Sequence, residues 1–274
     1  MPELPEVETA RQTLKQLVLN KKIEDVSIYW GNIIKRPQDP NDFKQWLQFQ
    51  TIRDIERKGK FLIFKMDDIS MVSHLRMEGK FGMYDASVEK PKHTHVIFHF
   101  TDGTELRYND VRKFGTMHLF EKGTEWDQKP LNQLGPDPFD PAFTIEYFYE
   151  RINKTMRNMK AVLLDQTIVA GLGNIYVDEA LYRSGIHPER LANQLSKEEA
   201  ARVRQASIET ITEAVEQGGT TIRSYLNSQG QMGMFQQKLR VYGKQDTDCL
   251  RCGSPIVKLK VSGRGTHVCP ACQK

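Results

Sequence analysis

No apolar run in the chain approaches the ~20 residues of a membrane span, and the N-terminus lacks the basic-then-apolar plan of a secretory signal. The sequence therefore predicts a cytoplasmic protein with no membrane partner. Cysteine is missing from the first 248 positions, which excludes a disulfide framework for most of the chain. No long heptad repeat suggests assembly, so a monomer is the expectation. Excess charge is also missing: 39 Lys and Arg against 35 Asp and Glu leave +4, too little to name a polyanionic partner from global charge. No aromatic-rich strand motif for stacking single-stranded bases occurs, which argues against an RNA-binding module. What is there, 274 residues of which 39% are hydrophobic, suffices for two domains with a core each.

The four cysteines all fall at the C-terminus, as Cys249-x-x-Cys252 and Cys269-x-x-Cys272. Paired two-residue spacings in a reducing compartment point to one Zn2+ held by four thiolates rather than to two disulfides. Four thiolates fill a tetrahedral site and leave no position for water, so this zinc is structural and a zinc hydrolase is argued against. Between the pairs, Lys258 to Val261 and Thr266 to Val268 alternate as strands around Ser262-Gly263-Arg264-Gly265, which puts Arg264 at a hairpin tip, as a solvated charge or as a finger reaching a phosphate. From Lys238 onward eight Lys and Arg face two acids, a distribution suited to a phosphate backbone.

At the other end, Met1 precedes Pro2, Glu3, Leu4, Pro5, Glu6, Val7 and Glu8. Removal of Met1 would expose a secondary amine with a reference pKa near ~8, unprotonated in useful amount at neutral pH. Attack of that amine on a sugar C1′ would give an iminium that invites elimination, with Glu3 as the adjacent acid/base. The alternative is that Pro2 is merely terminal and Pro5 opens a helix.

Val7, Ala10, Leu14, Leu17 and Val18 share one face of a helix over residues 5–19. Short apolar or alternating segments follow at 23–30, 51–57, 60–66, 69–76, 80–84, 94–100, 104–109 and 115–120, the pattern of an antiparallel sandwich or barrel. Pro130, Pro136, Pro138 and Pro141 then mark a linker. Helices are predicted over 143–153, 157–166, 175–184 and 196–217, the last opened by a Ser196-x-x-Glu199 capping box and stopped at Gly218-Gly219. The expected fold class is α+β, with domains at 1–131, 132–236 and 237–274. Gly171-Leu172-Gly173-Asn174 allows close backbone approach, with Asn174 capping the next helix, as a helical hairpin turn or as a phosphate site; Lys154, Arg157 and Lys160 upstream favour a DNA backbone contact. Residues 218–235, rich in Gly, Ser, Thr and Gln, read as a loop that could act as a lid.

Taken together, these residues resemble one family, the bacterial formamidopyrimidine-DNA glycosylases, which remove 8-oxoguanine and ring-opened purines. Pro2 to Glu8, Ser73-His74-Leu75-Arg76-Met77-Glu78-Gly79, Asp110-Val111-Arg112-Lys113-Phe114-Gly115, Gly173-Asn174-Ile175-Tyr176 and the terminal ribbon occur in the family's order and span nearly the whole chain. Endonuclease VIII is similar but typically carries glycine where this chain has Leu4. The resemblance implies an N-terminal antiparallel β-sandwich with flanking helices, then a helix-two-turn-helix domain ending in a β-hairpin zinc finger. It implies Pro2 as nucleophile, Glu3 as acid/base, Lys60 at the damaged nucleotide and Arg264 as the phosphate-binding finger assisting β,δ-elimination. It further implies that His74, Asn174 and Tyr242 hold phosphates, that His93 and Lys160 contact DNA, and that Met77, Arg112 and Phe114 fill the space left by the flipped nucleotide. Glu6, Glu78, Thr221, Arg223, Ser224 and Tyr225 are the implied lesion pocket, and the partner is damaged double-stranded DNA. A zinc-ribbon protein that binds damaged duplex without cutting it is the competing class; only the enzyme needs a free Pro2 amine, Glu3 and Lys60.

Overall fold

A computed structural model describes residues 1–220 and 233–274, which form two compact units, Met1–Asn132 with Gly233, and Gln133–Thr220 with Met234–Lys274. In the first unit, helix α1 (Leu4–Val18) opens with a reciprocal capping box, the Glu3 side chain accepting from the Glu6 backbone and Glu6 accepting the Glu3 N–H at 2.8 Å. Pro5 sits in its first turn, where a missing N–H costs nothing. Nine strands follow: β1 (Ile23–Ile28), β2 (Ile34–Arg36), β3 (Asp54–Lys58), β4 (Phe61–Lys65), β5 (Ile69–His74), β6 (Lys80–Asp85), β7 (Thr94–Phe100), β8 (Thr104–Asn109) and β9 (Thr116–Glu121). They build two sheets, β1-β7-β8-β6 and β2-β9-β5-β4-β3, antiparallel except for the short β2–β9 pair.

One apolar core joins both sheets to α1 and to a second helix, α2 (Pro40–Leu47). Phe64 of one sheet meets Phe81 of the other edge-on, with centroids 5.3 Å apart. The eight predicted strands are present. β2 and α2 escaped the sequence reading: β2 has three residues in an irregular ladder, and α2 is eight residues whose Asp39 cap and Pro40 start resemble a turn.

The second unit holds α3 (Ile145–Asn153), α4 (Met159–Leu164), α5 (Asn174–Ser184), α6 (Lys197–Glu216) and the hairpin β10 (Val257–Val261) with β11 (Arg264–Val268). The Ser196 to Glu199 capping box of α6 is formed. Helix α5 is buried on nearly all sides, packed against α4, α6 and β11. The ribbon is fastened to the helices of this unit: Lys274 N donates to Gly185 O and Gln273 Nε2 to Ile186 O, each at 3.0 Å. Among the described residues no helix is long and apolar enough to cross a membrane.

Candidate catalytic and nucleic-acid-binding site

In the first unit the chemistry gathers around the start of α1. Pro2 and Glu3 are buried, while Met1 is 49% exposed and so within reach of an aminopeptidase. With Met1 in place the Pro2 nitrogen is an amide; its removal yields the amine. The capping box fixes the Glu3 backbone and side chain at once, so the expected acid/base is also the helix N-cap. Glu6, expected in the lesion pocket, is the other half of that box and is 4% exposed.

Lys60 is buried in the turn between β3 and β4, beside Gly59 at φ 54°. Arg57 ties this turn to α1, donating from Nη1 to Gly59 O at 2.9 Å and from Nε to Glu8 at 3.0 Å. Burial favours a neutral Glu8, but Arg11 and Arg57 outweigh it and hold the carboxyl below its ordinary range. His74 ends β5 with its ring edge-on to Phe61 at 4.5 Å and its Nδ1 accepting from Arg76 N at 2.9 Å. Burial first, then the positive charges of Arg76 and Lys60, lower its pKa to about 3. His74 is thus a neutral imidazole, and with Nδ1 accepting, its proton sits on Nε2.

Two loops carry the side chains expected to fill the vacated stack. Met77 is 36% and Phe114 52% exposed, with the Arg112 guanidinium over the Phe114 ring at 4.9 Å. Core packing, the ordinary place for such side chains, is excluded by that exposure. Glu78 is exposed beside Met77. A residue not singled out from sequence shapes the second loop: buried Asp110 accepts from Arg112 N at 3.0 Å, Phe114 N at 2.9 Å and Gly115 N at 2.8 Å. An aspartate at the start of Asp110-x-x-x-x-Gly115 is the signal that could have found it. His93, with φ 66°, adjoins this loop, its carbonyl accepting from Asp110 N at 3.1 Å.

In the second unit three expectations are corrected. Arg264 is not at the hairpin tip. The turn is the two-residue Ser262-Gly263, both with positive φ, and Arg264 is the exposed first residue of β11, paired with Val261. Asn174 is not the N-cap; Gly173 holds that place, and Asn174 Nδ2 donates to Gly265 O at 3.0 Å. Lys160 does not face a DNA surface: it is wholly buried and ion-paired with Asp178. Asp178 also accepts from His267 N at 2.9 Å, and the His267 ring meets Tyr242 edge-on at 4.9 Å. Thr221, Arg223, Ser224 and Tyr225, with most of the expected lid, lie outside the described residues. A cleft of about 660 Å3 lined by Tyr182, Arg183, Thr210 and Phe235 contains none of the expected site residues.

The four cysteine sulfurs lie within 4.8 Å of one another. Cys249 and Cys272 are 3.9 Å apart and Cys252 and Cys269 3.4 Å, near the roughly 3.8 Å edge of a tetrahedron with Zn–S bonds of ~2.3 Å and too far for S–S bonds. The residues therefore fit one structural Zn2+.

Comparison with known proteins agrees with this geometry. Residues 1–117 match the formamidopyrimidine-DNA glycosylase N-terminal domain, 134–225 its H2TH domain, and 249–274 the zinc finger found in FPG and IleRS. The formamidopyrimidine-DNA glycosylases of Bacillus licheniformis and Cytobacillus firmus are each 59% identical to the chain, with full coverage of both sequences. Among solved structures, the Lactococcus lactis Fpg bound to DNA containing an abasic site is 40% identical, with a TM-score of 0.93 over 99% of each chain. The same Lactococcus lactis protein bound to DNA containing N7-benzyl-Fapy-dG is 41% identical, with a TM-score of 0.93 over the whole of both chains. With the sandwich, the helical unit and the four-thiolate ribbon all in register with these relatives, the chain belongs to the formamidopyrimidine-DNA glycosylase family.

Proposed function

We propose that the protein excises oxidised purines, 8-oxoguanine and formamidopyrimidines, from duplex DNA and then cleaves the abasic strand. The observation that carries this reading is the buried Pro2–Glu3 pair at the capped start of α1. The Pro2 amine attacks C1′, the glycosidic bond breaks and the base leaves with a proton. The C1′–O4′ bond then opens, O4′ taking a proton, and the iminium so formed acidifies C2′–H; loss of that proton expels the 3′ phosphate, and a second elimination expels the 5′ phosphate. Glu3 moves protons at the sugar, and Lys60 and neutral His74 supply donors beside it. Met77, Arg112 and Phe114 occupy the vacated stack, and Arg264, Asn174 and Tyr242 hold phosphates. The protein acts as a cytoplasmic monomer.

Borohydride trapping on a duplex carrying 8-oxoguanine opposite cytosine tests this. A covalent adduct is expected from the processed protein and none from Pro2→Gly or from a form retaining Met1. Duplex binding without adduct or strand cleavage, with Pro2 verified free, would instead establish a damage-binding protein.

A further inference from the structure

Arg264 is exposed, yet the chain on either side of it is fastened at three points within the helical unit. Before it, the turn residue Ser262 shares a hydrogen bond with Asn158, whose Nδ2 lies 3.0 Å from the serine Oγ. Asn158 is at the same time the N-cap of α4, accepting from Ala161 N at 2.9 Å. Just after Arg264, the Gly265 carbonyl accepts from Asn174 at the first position of α5. Two residues further on, Asp178, one helical turn along α5 from Asn174, accepts the His267 N–H at 2.9 Å, and its other oxygen is paired with Lys160 of α4. Both Lys160 and Asp178 are essentially without solvent exposure.

The arrangement is costly for stability alone. A buried ion pair generally gains little over an apolar pair of similar volume, because desolvation consumes the Coulombic attraction. What it supplies is direction: the two Asp178 oxygens fix one strand and one helix relative to each other. A two-residue turn by itself fixes the local register of Arg264 but not where the hairpin points. The three bonds tie it to the N-terminal ends of α4 and α5, the latter carrying Asn174.

From this geometry we infer that Asp178 and Asn158 are positioning residues for Arg264, setting the direction of the guanidinium toward the phosphate that the elimination steps expel. The inference rests on the function proposed above. In this role both act through Arg264.

A double-mutant cycle on single-turnover β-elimination of an abasic-site duplex tests it. The proteins are wild type, Asp178→Asn, Asn158→Ser, Arg264→Ala and the two doubles with Arg264→Ala. Asn158→Ser keeps a capping oxygen for Ala161 but is too short to reach Ser262. Asp178→Asn is expected to slow elimination roughly tenfold and Asn158→Ser about threefold, each shrinking to less than about twofold in the Arg264→Ala background. Equal losses in both backgrounds would show a structural role and overturn the inference, as would no loss from either substitution. Zinc content monitors folding; if Asp178→Asn loses its zinc, Asn158→Ser alone decides by the same criterion. Absence of a borohydride-trapped adduct with the wild type would sink the functional reading itself, a failure distinguishable from additivity in the cycle.

Discussion

The two units hold their functional side chains by different means. In the sandwich unit the positioning is done by backbone: Glu3 is a helix cap, the Phe114 loop hangs on N–H groups gathered by Asp110, and the Lys60 turn is fastened through a carbonyl. Behind these lies a large apolar core shared by two sheets. In the helical unit the finger strand is held by side chains of α4 and α5 and by a ribbon whose small apolar cluster, among the described residues, joins Val241, Cys249, Ile256 and Cys269 to Tyr182 of α5, with Cys272 against it. The first unit can lose one contact and stay folded, because burial supports it. The second depends on a few strong, specific links. The lesson is that the proposed nucleophile and the proposed finger, although assigned to one reaction, should fail differently.

Removing zinc gives the largest expected difference. Structural zinc contributes about 10–16 kcal/mol of apparent binding free energy in small ribbons, far more than the ribbon's small cluster can replace. Chelation, or Cys269→Ala, is expected to unfold the ribbon, release Arg264 from its strand and abolish tight duplex binding, while the sandwich retains its structure. Amide exchange resolved along the chain reads both at once. Loss of protection in β4 and β5 together with the ribbon would break the comparison.

Gly115→Ala probes the sandwich side. A Cβ there would overlap the buried Tyr108 hydroxyl and stand 2.7 Å from its Cζ. Tyr108 is wholly buried and packs on Phe81, so it cannot swing away freely. A loss of about 1–3 kcal/mol is expected from such overpacking, measured by urea unfolding, with lesion binding weakened through the displaced 110–115 loop. Unchanged stability would mean that the loop is held less firmly than its hydrogen bonds suggest.

How much of this was legible beforehand follows the same division. Strands with long regular ladders and helices with capping signals could be read from periodicity, because those patterns are local. So could the zinc site, whose ligands announce themselves by spacing. The direction of Arg264 could not: whether it lies within a four-residue turn or begins a strand depends on Ser262 and Gly263 both adopting positive φ. Lys160 failed for a related reason, since its partner Asp178 lies 18 residues away and only the packing of α4 on α5 buries the pair. Exposure of Met77 and Phe114 is likewise a tertiary property, invisible in a pattern that suits a core equally well.

The buried imidazole of His74 sharpens the comparison through pH. Its folded pKa, about 3, lies below the ~6.5 of an unfolded histidine. Below pH ~6.5 the unfolded chain takes up a proton that the folded chain refuses, so stability present above that pH is lost as the pH falls toward the folded value. Between pH 6.5 and 5 the loss amounts to about 2 kcal/mol. His74→Gln is expected to remove that part of the acid sensitivity, seen as a flatter plot of urea-unfolding free energy against pH. An unchanged slope would show that His74 is protonated in the folded protein and could meet phosphate as a cation.

Phe114→Ala carries the smallest expected effect on the fold and is for that reason the most discriminating. The ring is half exposed, and its described partner is the Arg112 guanidinium, a cation–π contact worth ~0.5–1 kcal/mol at an exposed site. Truncation should therefore move unfolding free energy by no more than about 0.5–1 kcal/mol. Binding to a duplex with a flipped nucleotide should suffer more, by about 1–3 kcal/mol, the range for losing one base–aromatic stack, read by competition against undamaged duplex. The inequality between the two numbers is the point. A side chain that matters more to a bound duplex than to its own fold is held out by the backbone around Asp110 for a partner to use. Were the fold to lose as much as the complex, Phe114 would be a support of its own loop rather than a side chain held out for a partner, and the stack would have to be filled by Met77 and Arg112 alone.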